Sequence, residues 1–347
     1  MKAVFVGNHE GVIVKDIPEP HPQVDEIVVR MKVCGLCGSD LEKTTSSYGM
    51  GSTRLGHEAV GEITTIGEKV RGFEARERVF IHHHVPCYSC YYCLRGAQTM
   101  CDTYQLNNIE PCGLSEEFVV STLHLQHGGV LRLPDEVSDE EASMIEPLAC
   151  CIRALNKCKI RSADDIVILG AGPVGMMNAL LARNAGAGRV ILIDPNQFRL
   201  DFGRKLGFEV MNAVEDKERI LNIKRDLSGR GADLAIVATG NHRAFIQSLE
   251  VVRKGGTVLL FGVPAKSSLI ELNLSFLYTN EISIVPSYAA TEIETNQALN
   301  LMAERRVNFG DLITHRFELE NSMSAFRCAH DARDVMKVVI TNQKETI

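Results

Sequence analysis

The sequence predicts an α/β protein in two parts, a β-rich domain and a doubly wound parallel-sheet domain. Three observations carry this. A length of 347 residues suits two cores rather than one. Residues 1–150 alternate short β-rich runs with glycine-containing turns. From Asp165 onward, apolar strand patterns alternate with amphipathic helical ones, the grammar of a parallel sheet covered by helices.

The elements follow in chain order. The opening "MKAVFVGNHEGVIV" lacks the long apolar stretch of a secretory signal. No apolar run reaches the roughly 18 residues that span a bilayer. A soluble cytoplasmic protein without a membrane partner is expected. The net charge of −7 argues against nucleic acid as a partner, because neutralising phosphates needs a basic surface. "DEIVVRMKVCGLC", "AVGEITTIG" and "ERVFIHHHV" read as strands by their β-branched content. On the last, strand alternation sends His82, His83 and His84 to opposite faces, in packing or surface roles. "SDEEASMIEPLACCIRALNKC" reads as one helix, with Ser138 as N-cap and acidic residues in its first turn. Cys150 and Cys151 on it read as buried apolar residues.

"DDIVILGAGPVGMMNALLARNAGAGRVILID" then reads as strand, glycine turn, helix, strand. The turn, Gly170-Ala-Gly172-Pro173-Val174-Gly175, is followed nineteen residues later by an acid at a strand end, Asp194. That full context is the dinucleotide fingerprint, whereas the glycines alone would be weak. Gly170 allows the tight turn, Gly172 lets the backbone approach a pyrophosphate, and Gly175 lets helix pack on strand. The helix N-terminus adds N–H donors and a positive dipole. Asp194 can accept both ribose hydroxyls and would repel a 2′-phosphate, so NAD is expected. Arg199 lies close enough in sequence to weaken that preference. "GADLAIVATG" ends a further strand at Thr239, where cofactor contact is expected at the carboxyl edge. After Pro286 the pattern loosens, and "ARDVMKVVITN" reads as a closing strand. The partition is 1–149 with 287–347, and 150–286 between them.

Eleven cysteines in a chain of this kind point to metal ligands or buried apolar positions rather than disulfides. Cys87, Cys90, Cys93 and Cys101 are spaced by two, two and seven residues. Pairs two apart let one tight turn aim two sulfurs at one point, as tetrahedral zinc needs. An iron–sulfur run keeps three residues before a fourth cysteine followed by proline. Here the gap is seven and Asp102 follows, so structural zinc is predicted. Upstream, "CGLCGSD" and "GHEAVG" offer Cys37, His57 and Glu58, a donor mix that catalytic zinc accepts. Adjacent His57 and Glu58 would point oppositely on a regular strand, so both can ligate only if the backbone turns there.

With "CGLCGSD", "GHEAVGEI", the four-cysteine run, "EPLACC", "GAGPVG" and "VATG" on the page, the chain resembles the zinc-dependent medium-chain dehydrogenases over essentially its whole length. It looks nearer their polyol and threonine branch, since Glu146 is an acid where classical alcohol dehydrogenases carry a cysteine. The resemblance implies a GroES-like, β-rich catalytic domain plus a Rossmann domain, with the active site in the cleft between them. It implies two zinc ions per chain. Cys37 and His57 would be ligands of the catalytic one, with the third ligand open between Glu58 and Glu146. The four cysteines would hold the structural one in an external lobe, about residues 84–104.

By the same resemblance, zinc would polarise the oxygen of a small alcohol or carbonyl substrate, and NAD would exchange hydride with it. Ser39 is placed as the family's hydroxyl relay. Where many relatives carry a histidine at the relay's outer end, this chain has Glu42. Its ordinary pKa of about 4.3 suits the task only if burial raises it. Edge-to-edge pairing through residues 280–286 would give a homodimer or homotetramer. Reduction of a small aldehyde or semialdehyde, and threonine-type oxidation, stay open as alternatives. A non-catalytic zinc- and nucleotide-binding homologue is the reading from a different class; missing ligands would be its signature.

Overall fold

The computed structural model describes residues 1–7, 11–45, 54–264 and 268–342. They form two compact units, Met1–Ala149 with Ala289–Ile347, and Cys150–Tyr288. The chain returns to the first unit between Tyr288 and Ala289, just after the loss of strand pattern at Pro286. No helix among the described residues is long and apolar enough to cross a membrane.

The first unit is built on a seven-stranded sheet. Its main path runs Ile313–Glu318, Lys337–Thr341, Ile27–Gly35, Glu58–Ile66, Arg78–His82 and Val130–Arg132, and Glu117–Val120 pairs beside Ile27–Gly35. Every pairing is antiparallel except that between Ile313–Glu318 and Lys337–Thr341. Antiparallel neighbours need only short connections, which is why glycine turns punctuate this part of the sequence. The β-branched and aromatic residues of the central strands close one core, with Val29, Met31, Ile63, Ile81 and Phe118 fully buried.

The second unit has a six-stranded, wholly parallel sheet. Its order is Glu209–Asn212, Val190–Asp194, Ile166–Leu169, Ala232–Val237, Val252–Leu260 and Ser283–Pro286. Counted within the unit this is 3-2-1-4-5-6, so the strand order reverses between Ile166–Leu169 and Ala232–Val237. Ligands of such sheets bind beyond the carboxyl ends of the strands at that reversal. The glycine turn after Leu169 and Thr239 after Val237 both lie there.

Two expectations need correction. The segment after Ser138 is not one helix. Ser138 caps Asp139–Ala142, its hydroxyl accepting from the Glu141 amide at 3.2 Å, and a separate helix runs Ile145–Cys158. Pro147 is the cause: it has no N–H to give residue 143, and its ring clashes with a carbonyl four residues back. It therefore belongs in the first turn of a new helix. On the later helix Cys151 is buried, while Cys150 is only half-buried. The histidine run does not alternate between faces of a strand either. The strand stops at His82; His82 and His83 are buried and His84 half-buried, in one packed column.

Candidate metal centres and cofactor turn

The first centre starts from a turn. Gly56 has φ +77°, and a Cβ there would stand 2.6 Å from Leu114 Cγ, so only glycine fits. The turn leaves His57 just ahead of the strand that begins at Glu58. This breaks the alternation that would have separated the two side chains. Ligand atoms of Cys37, His57 and Glu58 come within 4.8 Å of one another. Cys37 sits ahead of the short helix Gly38–Lys43, which also carries Ser39, Asp40 and Glu42.

Asp40, fully buried, organises this centre, and the sequence reading passed over it. Its carboxylate accepts from the Cys37 amide at 3.3 Å and the Gly56 amide at 3.1 Å, and lies 3.5 Å from His57 Nδ1. One side chain thus fixes both candidate ligands. With Nδ1 turned to a carboxylate, His57 has Nε2 left for a metal, the arrangement typical of zinc-bound histidine. Burial alone would raise the Asp40 carboxyl, but the charges of His57 and Lys43 and the hydrogen bonds it accepts hold it far below the usual carboxylate range.

Glu58 has a partner that no local pattern announced. Lys337 Nζ donates to Glu58 Oε1 at 2.6 Å and also touches Oε2, and both residues are buried. Oε2 accepts no hydrogen bond in good geometry, so it keeps lone pairs for a cation. Burial raises the Glu58 carboxyl, with Lys337 and His57 opposing and Glu146 adding to the rise. Glu146 lies in the first turn of Ile145–Cys158, is buried, and acts electrostatically on both Glu58 and Lys337. It stands outside the close set of three. Glu42 is half-buried and its carboxyl is raised by that burial.

The second centre is the cysteine lobe. Sγ atoms of Cys87, Cys90, Cys93 and Cys101 all lie within 4.8 Å of one another, and none is in a disulfide. A zinc–sulfur bond of about 2.3 Å in a tetrahedron puts sulfurs about 3.8 Å apart. Cys87 and Cys101 Sγ are 3.6 Å apart, so the donor set fits zinc. The Cys90 amide donates to Cys87 Sγ at 3.3 Å and the Cys87 amide to Cys101 Sγ at 3.5 Å. Hydrogen bonds from Ser89, then from neighbouring amides, bring the Cys87 thiol down to about 5, favouring the thiolate that metal needs. Burial pushes the Cys93 thiol up to about 12.

Apart from its cysteines, the lobe's buried cluster holds Tyr104, with Ala289 packed against it. Tyr104 donates its hydroxyl to the Ala290 carbonyl at 2.7 Å. Tyr88 donates to Glu292 Oε2, whose other oxygen lies 3.2 Å from His82 Nδ1.

In the second unit, Gly170 takes φ +107°, and a Cβ on Gly175 would stand 1.9 Å from the Gly170 carbonyl oxygen. Pro173 opens the helix Pro173–Asn184, and Val174 follows it. Asp194 ends its strand and accepts from the Ala171 amide at 2.7 Å and the Asn196 amide at 2.8 Å, tying the strand end to the turn. Arg199 lies over the turn: a Cβ on Gly172 would be 3.5 Å from its Nη1, and its buried Nε has no hydrogen-bond partner. Thr239 accepts from the Asn241 amide at 3.3 Å.

Known proteins of similar sequence and fold give the family. The zinc-binding dehydrogenase family matches residues 173–304, and the alcohol dehydrogenase GroES-like domain matches residues 23–135. A sorbitol dehydrogenase of Bacillus subtilis is 30% identical over 348 residues, covering 98% of this chain and 97% of its own. An L-threonine 3-dehydrogenase of Idiomarina loihiensis is 28% identical over 328 residues, covering 91% and 92%. An alcohol dehydrogenase from Thermus superposes with a TM-score of 0.86 at 25% identity, over 99% of this chain and 100% of the other. The chain belongs to the zinc-dependent medium-chain dehydrogenase superfamily, with a GroES-like unit and a Rossmann-like unit.

Proposed function

We propose that this chain is an NAD-dependent dehydrogenase that oxidises a small polyol or secondary alcohol, or reduces the matching carbonyl. The observation that carries the reading is the convergence of Cys37, His57 and Glu58, with Asp40 holding two of them in place. Cys37, His57 and one of Glu58 or Glu146 would hold zinc, and the four lobe cysteines a second, structural ion. Bound zinc supplies a Lewis acid that polarises the substrate oxygen, and bound NAD supplies the hydride acceptor.

The rest is done by the chain. The glycine turn and helix N-terminus receive the pyrophosphate. Asp194 keeps lone pairs for the ribose hydroxyls, since a carboxylate can accept more than the two amide bonds it already has. Arg199, beside Gly172, would meet the phosphate side of the cofactor. Ser39 starts the path for the departing proton, and Glu42, raised by burial, is a better proton carrier near neutrality than a solvated glutamate. A cytoplasmic location is supported by eleven cysteines without a disulfide.

A screen of NAD reduction over polyols, short alcohols and threonine, run in reverse on aldehydes and semialdehydes, tests the reading. Activity on threonine alone would move the assignment to that branch. Zinc-loaded protein that is inactive throughout and binds no NAD would sink it. Metal analysis should give two zinc ions per chain. Asp194→Ala should narrow or abolish the preference for NAD over NADP in kcat/KM; an unchanged preference would remove Asp194 from its role.

A further inference from the structure

We propose that His83 is a specificity-determining residue that hydrogen-bonds a second oxygen of the substrate, on the carbon next to the one oxidised, so that the preferred substrates are vicinal diols or their hydroxy-carbonyl products. The inference rests on the dehydrogenase reading above and names its substrate class.

His83 follows the strand Arg78–His82 and is only 9% exposed. Its ring centroid lies 5.0 Å from that of His57 and 4.0 Å from that of His84. Its backbone is fixed, because the His83 carbonyl lies 3.1 Å from His124 Nε2. Its Nδ1 is buried and has no hydrogen-bond partner. An orphaned polar atom of this kind is a cost to the fold, and a leucine or phenylalanine would fill the space without it. Buried polar atoms in folded chains are paired in the great majority, so one left open beside a metal ligand points to a partner that arrives with the ligand.

The ring's chemistry narrows that partner. Shut off from water beside the rings of His57 and His84, the imidazole is held neutral, since a charge there would have no partner. A neutral imidazole offers one donor and one acceptor, which suits a hydroxyl or a carbonyl oxygen. A site that hydrogen-bonds a substrate hydroxyl rejects the analogue lacking it, because its own polar atom is then left unpaired.

The test compares propylene glycol with isopropanol, which lacks only the neighbouring hydroxyl. It uses the zinc-loaded protein with NAD and follows both kcat/KM and calorimetric binding of each alcohol. The wild type should favour the glycol by about tenfold or more. His83→Leu should remove that preference in turnover and in binding while isopropanol changes by less than about threefold. His83→Asn, which keeps a polar atom near the place of Nδ1, should restore part of it. Zinc content and melting temperature should stay level across the set. Equal use of both alcohols by active wild type would overturn this inference alone. So would a parallel fall of both in His83→Leu, which would mean the ring only packs against His57. Absence of NAD reduction and of binding with every alcohol would overturn the dehydrogenase reading with it.

Discussion

Lys337 and Glu58 stand 279 positions apart and form a buried ion pair. Breaking such a pair strands a charge where water cannot reach it, which costs about 3 kcal/mol or more. Lys337→Met should therefore lower the melting temperature of metal-free protein sharply, and more so because Glu146 adds like charge to the same place. Zinc can stand in for the lost ammonium, so adding it should raise the variant's melting temperature more than the wild type's. Equal gains, read by calorimetry, would show that Glu58 does not face the metal. At this scale the sequence was legible only in part. Cys37, His57 and Glu58 stand in short motifs whose residue types announce metal. Asp40 sits inside one of those motifs, but its reach to Gly56 and His57 depends on the turn at Gly56. Lys337 carried no signal, because only the sheet brings its strand near Glu58. The unpaired nitrogen of His83 is a fact of packing and has no pattern in one dimension.

The cysteine lobe is an element that would lean on a metal. Its own buried cluster is too small to order it, and metal binding to such a site is folding free energy, on the order of 10 kcal/mol in zinc-finger peptides. Cys93→Ser should lower the melting temperature while the folded fraction keeps hydride transfer. Cys37→Ser should do the reverse, with near-normal melting and turnover lost. If Cys93→Ser melts normally but is inactive, the two centres have been assigned the wrong way round. A second element-scale prediction concerns the helix Thr122–Gln126, which carries His124. His124 Nε2 faces the His83 carbonyl at 3.1 Å, so that nitrogen holds the proton, and Nδ1 accepts from the Ser121 hydroxyl at 2.9 Å. Burial brings its pKa down to about 4. Unfolded histidine binds its proton near 6.5. Stability is therefore full above that pH and is lost as pH falls from about 6.5 toward 4, by up to about 1.4 kcal/mol per pH unit. His124→Gln should flatten the fall of melting temperature between pH 7 and pH 5; an unchanged slope would assign it to other groups. Elements with strong periodicity were legible, as the strand–turn–helix–strand around Gly170 shows. The helix after Ser138 was misread because its acidic, apolar pattern runs unbroken through Pro147.

At the scale of the molecule, the strand order of the second unit follows from its βα alternation, since parallel neighbours need helical crossovers. The order leaves Ser283–Pro286 as an edge strand, and the helix before it exposes Leu274 at 73% and Tyr278 at 85%. An uncovered edge of β-branched residues beside such an apolar patch invites pairing. We propose a homodimer or homotetramer through this edge. Light scattering at micromolar concentration should give two or four times 38.3 kDa; a single-chain mass would rule it out. Ile284→Lys should shift the mass toward the monomer, because a charge at the centre of a paired edge is left desolvated.

The bolts between the cysteine lobe and residues 290–292 bear on inheritance. Tyr88 and Tyr104 are spelled in the first third of the chain, and their partners Glu292 and Ala290 lie 204 and 186 positions later. A descendant that shed the lobe in one deletion would keep Glu292 and His82 buried without the tyrosine that shares the carboxylate. The lobe and the acid at position 292 should therefore travel together through a lineage. A relative lacking the four cysteines but keeping a buried acid there would break that rule.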